Sequence, residues 1–180
     1  METYPTDIHV VGGGTGGCAA ALAAARAGHS VIMTEESDWV GGQLTSQAVP
    51  PDENGWIEQF GCTASYRAFR NDVREYYRTH YPLKPEFREI PFLNPGNGWV
   101  SPLCHEPRVG LAVLEATLAP HETAGRLTIW RETMPVAAET DGEDVIKSVV
   151  LRKVTTGDER RVNARYVVDA TENGDLLPLS

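Results

Sequence analysis

The sequence predicts an α/β fold: a parallel sheet with helices packed on it and an added antiparallel β-meander. Three observations carry this. Ile8-His9-Val10-Val11 leads through a glycine-rich turn and an alanine-rich segment to a second apolar run, Ser30-Val31-Ile32-Met33-Thr34. That order, strand, turn, helix, strand, is about the size of one βαβ unit. Residues 145–154 and 160–168 alternate like paired strands around Thr156-Gly157-Asp158, a hairpin pattern. The chain has 180 residues, 41% apolar and 23% charged, which suits one soluble globular domain or part of a larger one.

The first unit carries the chemistry. Gly12-x-Gly14-x-x-Gly17 follows the first strand and opens a helix from Cys18 to Ala27 that Gly28 closes. This is a dinucleotide fingerprint. Gly12 permits the tight turn, Gly14 has no Cβ to keep a pyrophosphate off the backbone, and Gly17 lets the helix lie close to the sheet. Ala20, Ala23, Ala24 and Ala27 form a small face that serves the same packing. The helix N-terminus offers free N–H groups and a positive dipole end to phosphates. Glu35 ends the second strand, 23 residues after Gly12. A carboxylate there accepts hydrogen bonds from two ribose hydroxyls and repels a 2′-phosphate, which disfavours NADP.

The next good strand, Arg126-Leu127-Thr128-Ile129-Trp130, comes about 90 residues after Glu35, so an insertion is expected over about 37–107. It holds a helix from about Thr63 to His80, with Tyr66, Phe69, Val73, Tyr76 and Tyr77 on one face. Arg67, Arg70, Arg74 and Arg78 fall largely elsewhere. They could clamp an acidic substrate, but a solvated helix face is the simpler reading. Residues 82–102 are rich in Pro, Gly and Asn and read as an irregular loop or short strands. A helix then runs from Glu106-Pro107 to near Gly125, with Leu111, Leu114 and Leu118 on its buried face. Val136 lies in a short strand, and the second hairpin arm runs on into Tyr166-Val167-Val168-Asp169-Ala170-Thr171.

With these elements placed, the chain resembles the N-terminal part of FAD-dependent oxidoreductases of the glutathione-reductase-like Rossmann type. The resemblance rests on residues Val10 to Gly17, on Glu35, on Trp39-Val40-Gly41-Gly42-Gln43, and on Asp169-Ala170-Thr171-Glu172-Asn173-Gly174-Asp175-Leu176. The last segment is similar to the family's Ala-Thr-Gly motif, with Glu172 where glycine is usual. It implies a Rossmann-like FAD/NAD(P)-binding fold over 1–180 and FAD as cofactor. By the resemblance Gly12, Gly13, Gly14, Thr15, Gly16 and Gly17 hold the pyrophosphate and Glu35 the adenosine ribose. Val136 contacts the adenine by its backbone. Gly42 and Gln43 lie along the FAD nearer the flavin end, and Ala170 and Thr171 approach from the neighbouring strand end. Family members are much longer, so a second polypeptide or a C-terminal part is expected to complete the site.

The remaining residues bound the function. A net charge of −9 argues against nucleic acid or an anionic membrane as the main partner, and no apolar run is long enough to span a bilayer. No basic segment precedes the first apolar run, so no signal peptide is expected. Cys18, Cys62 and Cys104 are odd in number and far apart, which suits neither a disulfide framework nor a metal site and points to the cytoplasm. They form no redox pair of the disulfide-reductase kind. Cys104-His105-Glu106 could supply a base or a thiol, yet reads more simply as a loop entering a helix. Catalytic residues therefore stay unassigned. Cys18 is expected to pack the first helix on the sheet and His9 to be structural. The expected function is the FAD-binding part of an oxidoreductase that passes hydride from a small-molecule substrate to the flavin. The alternatives are a flavin monooxygenase or halogenase, and a non-catalytic dinucleotide-binding subunit or fragment.

Overall fold

A computed structural model describes residues 1–142 and 145–180. The chain forms two compact units, Met1–Gly42 with Leu118–Ser180, and Gln43–Thr117.

The first unit is built on a six-stranded sheet. Its strands are β1 (Glu2–Val11), β2 (Val31–Thr34), β3 (Leu127–Trp130), β4 (Thr133–Thr140), β5 (Ile146–Lys153) and β6 (Glu159–Asp169). Their spatial order is β3-β2-β1-β6-β5-β4. The pairs β3–β2, β2–β1 and β1–β6 are parallel, whereas β6–β5 and β5–β4 are antiparallel. The expected parallel sheet and meander are thus one continuous sheet in which β6 belongs to both. β1 is longer than its apolar run suggests. Its first half pairs only with β6, and β2 joins it at Ile8–Val11. Pro5 can sit in that half because it leaves one edge without a ladder to interrupt.

Helix α1 (Thr15–Arg26) packs on β1 and β2 and buries Gly17, Cys18, Ala21, Leu22 and Ala25. The packing face is thus not the expected one: Ala23 and Ala27 are exposed and Ala20 and Ala24 only partly covered, while Gly17, Cys18, Ala21 and Ala25 supply the small residues that allow the close approach. Gly28, at φ +93°, ends the helix, and its N–H donates to the Ala25 carbonyl (3.1 Å). Val11, Ile32, Val149, Leu151, Val162 and Leu176 form a core cluster of this unit. Each such aliphatic side chain contributes about 1.5–3 kcal/mol when fully buried.

The second unit contains α2 (Ala64–His80) and α3 (Pro85–Arg88), together with α4 (Pro107–Thr123) as far as Thr117. The Thr63 hydroxyl caps α2 by accepting the Tyr66 N–H (3.3 Å). Phe69, Val73, Tyr77, Leu93, Leu103, Val109 and Val113 make its core.

Three expectations are corrected here. Residues 82–102 contain the short helix α3 and turns, and no strand. The buried face of α4 is set by Val109, Val113 and Leu118, with Leu111 and Leu114 only partly covered. Arg70 and Arg74 are not solvated: they are 0% and 1% exposed. Arg70 pairs with Glu53 and Glu58. Arg74 Nη2 lies 2.5 Å from Glu58, and Arg74 Nε donates to the Leu93 carbonyl (2.9 Å). Buried arginines need such partners, because unpaired charge is far too costly away from water.

Candidate functional site

The site begins where β1 ends. Gly12 donates its N–H to the Thr34 carbonyl (3.0 Å) and turns the chain at φ +100°, a conformation that side chains resist. A Cβ placed on Gly12 would lie 2.4 Å from the Ala170 carbonyl oxygen, and one on Gly17 would lie 1.9 Å from the Gly12 oxygen. Three backbone segments therefore touch here: the loop after β1, the first turn of α1 and the chain leaving β6. Ala170 N–H donates to the Val11 carbonyl (2.7 Å), fixing that third segment.

Glu35 closes the loop from the β2 side. Its Oε2 accepts the Gly13 N–H (2.9 Å), and its Oε1 accepts the N–H and hydroxyl of Ser37 (2.9 and 2.7 Å). Gly14 stands at the N-cap of α1 without a side-chain cap, and the first turn of that helix holds no acidic residue. The Thr15 hydroxyl donates to the Gly41 carbonyl (2.8 Å), and the Gly41 N–H donates to the Gly13 carbonyl (2.8 Å). A Cβ on Gly42 would lie 3.1 Å from Gly14 Cα. Nothing lies within 4 Å of a Cβ on Gly16. Backbone at Gly14 and Gly42 thus forms a cradle floored by main chain beside a helix N-terminus, the arrangement that accepts an anion.

The structure brings Gly12, Gly13, Gly14, Thr15, Gly16, Gly17, Glu35, Gly42, Ala170 and Thr171 together. Gln43 opens the second unit, where its amide nitrogen is 3.5 Å from the Pro50 carbonyl. Val136 lies at a register shift in β4: Pro135 and Ala137 face the consecutive residues Leu151 and Val150, leaving Val136 as the extra residue. A bulge of this kind turns main-chain groups out of the ladder. β4 starts beside Glu35, whose carbonyl accepts the Thr133 N–H (2.8 Å).

Two residues of the 169–176 segment have parts that its motif did not reveal. Asp169 organises the turn. Its carboxylate accepts the Thr171 N–H (3.1 Å), the Thr171 hydroxyl (2.7 Å) and the Leu176 N–H (3.1 Å). The signal was there, because an aspartate at a strand end favours such local bonds. Glu172 is the other. Its Oε1 lies 3.0 Å from the place of a Cβ on Gly14 and 3.2 Å from that on Gly42.

The other candidates behave as packing residues. Cys18 is buried, its thiol lies 3.3 Å from the Gly13 carbonyl, and burial pushes its pKa up to about 12. Such a thiol is inert at neutral pH. In the second unit Cys104 is buried, with its N–H donating to Asn94 Oδ1 (2.7 Å). His105 Nδ1 bonds the Glu106 carbonyl (3.0 Å), and burial lowers its pKa. Among the described residues no group of three or more His, Cys, Asp or Glu could hold a metal ion, and no helix is long and apolar enough to cross a membrane.

Comparison with known proteins places the chain in a family. The family model described as FAD dependent oxidoreductase matches residues 7–180. An N,N-dimethylglycine/sarcosine dehydrogenase of Chromohalobacter salexigens is 49% identical over 58 residues, 29% of this chain and 8% of that protein. An L-amino acid oxidase of Cerastes cerastes is 36% identical over 78 residues, 43% of this chain and 14% of that protein. The chain therefore matches only a small part of the length of these curated relatives. Among solved structures, the myxobacterial FAD-dependent halogenase CndH superposes with a TM-score of 0.54 at 21% identity, covering 96% of this chain and 38% of that one, a likeness of fold. Matched along all but its first six residues, the chain belongs to the FAD dependent oxidoreductase family.

Proposed function

We propose that this chain is the FAD-binding part of a flavin-dependent oxidoreductase, with the pyrophosphate at Gly12–Gly17 and the adenosine ribose at Glu35. The observation that carries this is the cradle at Gly14 and Gly42, which lies against the N-terminus of α1 where a side chain would fill it. A diphosphate fits such a place: it needs N–H donors, a positive dipole end and no Cβ in the way. Glu35 already holds Gly13 through one carboxylate oxygen. With the N–H and hydroxyl of Ser37 on its other oxygen, three of its roughly four acceptor sites are taken, which leaves one for a ribose hydroxyl. Val136, at the bulge of β4, offers main chain to the adenine. Gly42 and Gln43 continue the site toward the flavin, and Ala170 and Thr171 border it from β6.

Bound FAD supplies the two-electron redox chemistry. The residues of this chain bind and orient it. Gly17 and Gly12 keep α1 close so that its free N–H groups face the phosphates, and Asp169 fixes the turn carrying Ala170 and Thr171. The substrate is a small molecule, and a further segment or a second polypeptide completes its site. The three cysteines are all free, as a reducing cytoplasm keeps them.

The test is titration of the FAD-free chain, followed by flavin fluorescence, for wild type and Gly14→Val. Gly14 has φ −61° and ψ −172°, which valine adopts readily, and its nearest non-neighbour atom is the end of the Glu172 side chain. The variant is expected to fold. It should lose FAD affinity by about a hundredfold or more, the equivalent of two charge-assisted hydrogen bonds of about 1.5 kcal/mol each. A folded variant that keeps full affinity would place the pyrophosphate elsewhere.

A further inference from the structure

We infer that Glu172 is a built-in competitor for the phosphate place of the glycine loop, so that FAD binds only by displacing its carboxylate. This rests on the reading of Gly12–Gly17 as the pyrophosphate site. The Glu172 carboxylate oxygen stands at 3.0 and 3.2 Å from the Cβ places of Gly14 and Gly42. Those are the two positions whose lack of side chain makes the cradle. The carboxylate is chemically suited to it, since both carboxylate and phosphate are anionic acceptors for N–H groups at a helix N-terminus. Helix α1 brings no acid of its own to its first turn. Glu172 therefore supplies the charge that the dipole favours.

The tether makes the competition effective. Ala170 is fastened to Val11 through its N–H and abuts Gly12. Thr171 and Leu176 are held by Asp169, and the Asp175 N–H donates to the Thr171 hydroxyl (2.7 Å). Glu172 hangs from this pinned turn, so its carboxylate meets the cradle at high effective concentration. Its residue is solvent-exposed, which leaves the side chain room to swing out when a diphosphate arrives. Two anions cannot share the place without repulsion.

Three proteins decide the matter: wild type, Glu172→Gln and Gly14→Val, each titrated with FAD and, FAD-free, followed by amide hydrogen exchange at Thr15 and Gly16. Glutamine keeps the shape and removes the charge. Glu172→Gln is expected to bind FAD about two- to thirtyfold tighter, the range of one anion at a helix N-terminus. Its Thr15 and Gly16 amides should exchange faster than those of wild type. Unchanged or weaker affinity in Glu172→Gln, with Gly14→Val losing FAD, overturns the competitor and leaves the loop assignment standing. Wild-type affinity in Gly14→Val overturns the loop assignment and the competitor with it. So does a failure of folded wild-type and Glu172→Gln chains to bind FAD at all.

Discussion

The two units bury polar side chains by opposite means. In the unit of residues 43–117, Arg70 and Arg74 keep their charge inside by pairing with Glu53 and Glu58, and the Tyr66 hydroxyl adds a bond to Glu53 (2.6 Å). In the sheet unit, His9 and Thr34 are both 0% exposed, and neither His9 ring nitrogen nor the Thr34 hydroxyl has a hydrogen-bond partner among the described residues. One region spends many side chains on neutralising charge. The other buries only His, Thr and Ser among its described polar side chains and brings backbones together by leaving side chains out. The lesson is that a site built of main chain depends on what is absent at its glycines, whereas a core built around ions depends on every member of the network.

The sharpest way to break the first half of that comparison is a single methyl group. A Cβ on Gly17 would stand 1.9 Å from the Gly12 carbonyl oxygen, and backbone cannot yield as a flexible side chain does. Gly17→Ala should cost more than about 4 kcal/mol, because α1 must separate from the strand loop. Gly16 is the control. A Cβ there meets nothing within 4 Å, so Gly16→Ala should raise stability by about 0.5–1 kcal/mol through helix propensity alone. Urea unfolding of both variants reads the contrast. Equal effects would mean that the glycine pair does not set the approach of α1.

This also explains which parts were legible in the sequence. The loop, α1, β2 and Glu35 could be read because their constraints are local: a turn, a close approach and a strand end within thirty residues. The hairpin was legible for the same reason. The buried fate of Arg70 and Arg74 was not. Their partners Glu53 and Glu58 lie 12 to 17 residues away in a stretch without periodicity, and an arginine beside a glutamate in sequence looks the same whether wet or dry. The N-terminal half of β1 was hidden because Thr3, Pro5, Thr6 and Asp7 lack strand patterning and gain their place from pairing with β6. The nearness of Glu172 to Gly14 was likewise invisible, since it joins residues far apart in the chain.

The second half of the comparison breaks at Arg70. Arg70→Met leaves the Glu53 carboxylate buried without its arginine partner, though the Tyr66 hydroxyl still donates to it. The expected loss is about 3–5 kcal/mol. Arg67, 3.9 Å from Glu58 and partly exposed, should cost less than about 1 kcal/mol as Arg67→Ala. Adding Glu53→Gln to Arg70→Met should recover part of the loss by removing the stranded charge. A double variant worse than Arg70→Met by the full cost of a second hydrogen-bonded group would show that Glu53 is stabilised by something other than Arg70.

His9 provides the smallest effect and the one that separates the two strategies most cleanly. A histidine buried without a partner must be neutral, and burial lowers its pKa from an ordinary 6.5 to about 4. The unfolded chain therefore takes up a proton that the folded one refuses between those values. Because the folded pKa is depressed, the stability is fully present above pH 6.5 and falls as pH drops toward 4. At about 1.4 kcal/mol per pH unit, the loss across that window is about 3 kcal/mol. The two proteins differ at this group alone, so the difference between wild type and His9→Leu isolates its contribution. Leucine has a similar size and removes both unpartnered nitrogens, so the variant should be at least as stable as wild type at pH 7. Urea midpoints at pH 7 and pH 4.5 for the two proteins measure the difference. The wild type should lose more stability than His9→Leu by most of that 3 kcal/mol, and parallel losses would mean that the imidazole is protonated within the fold after all.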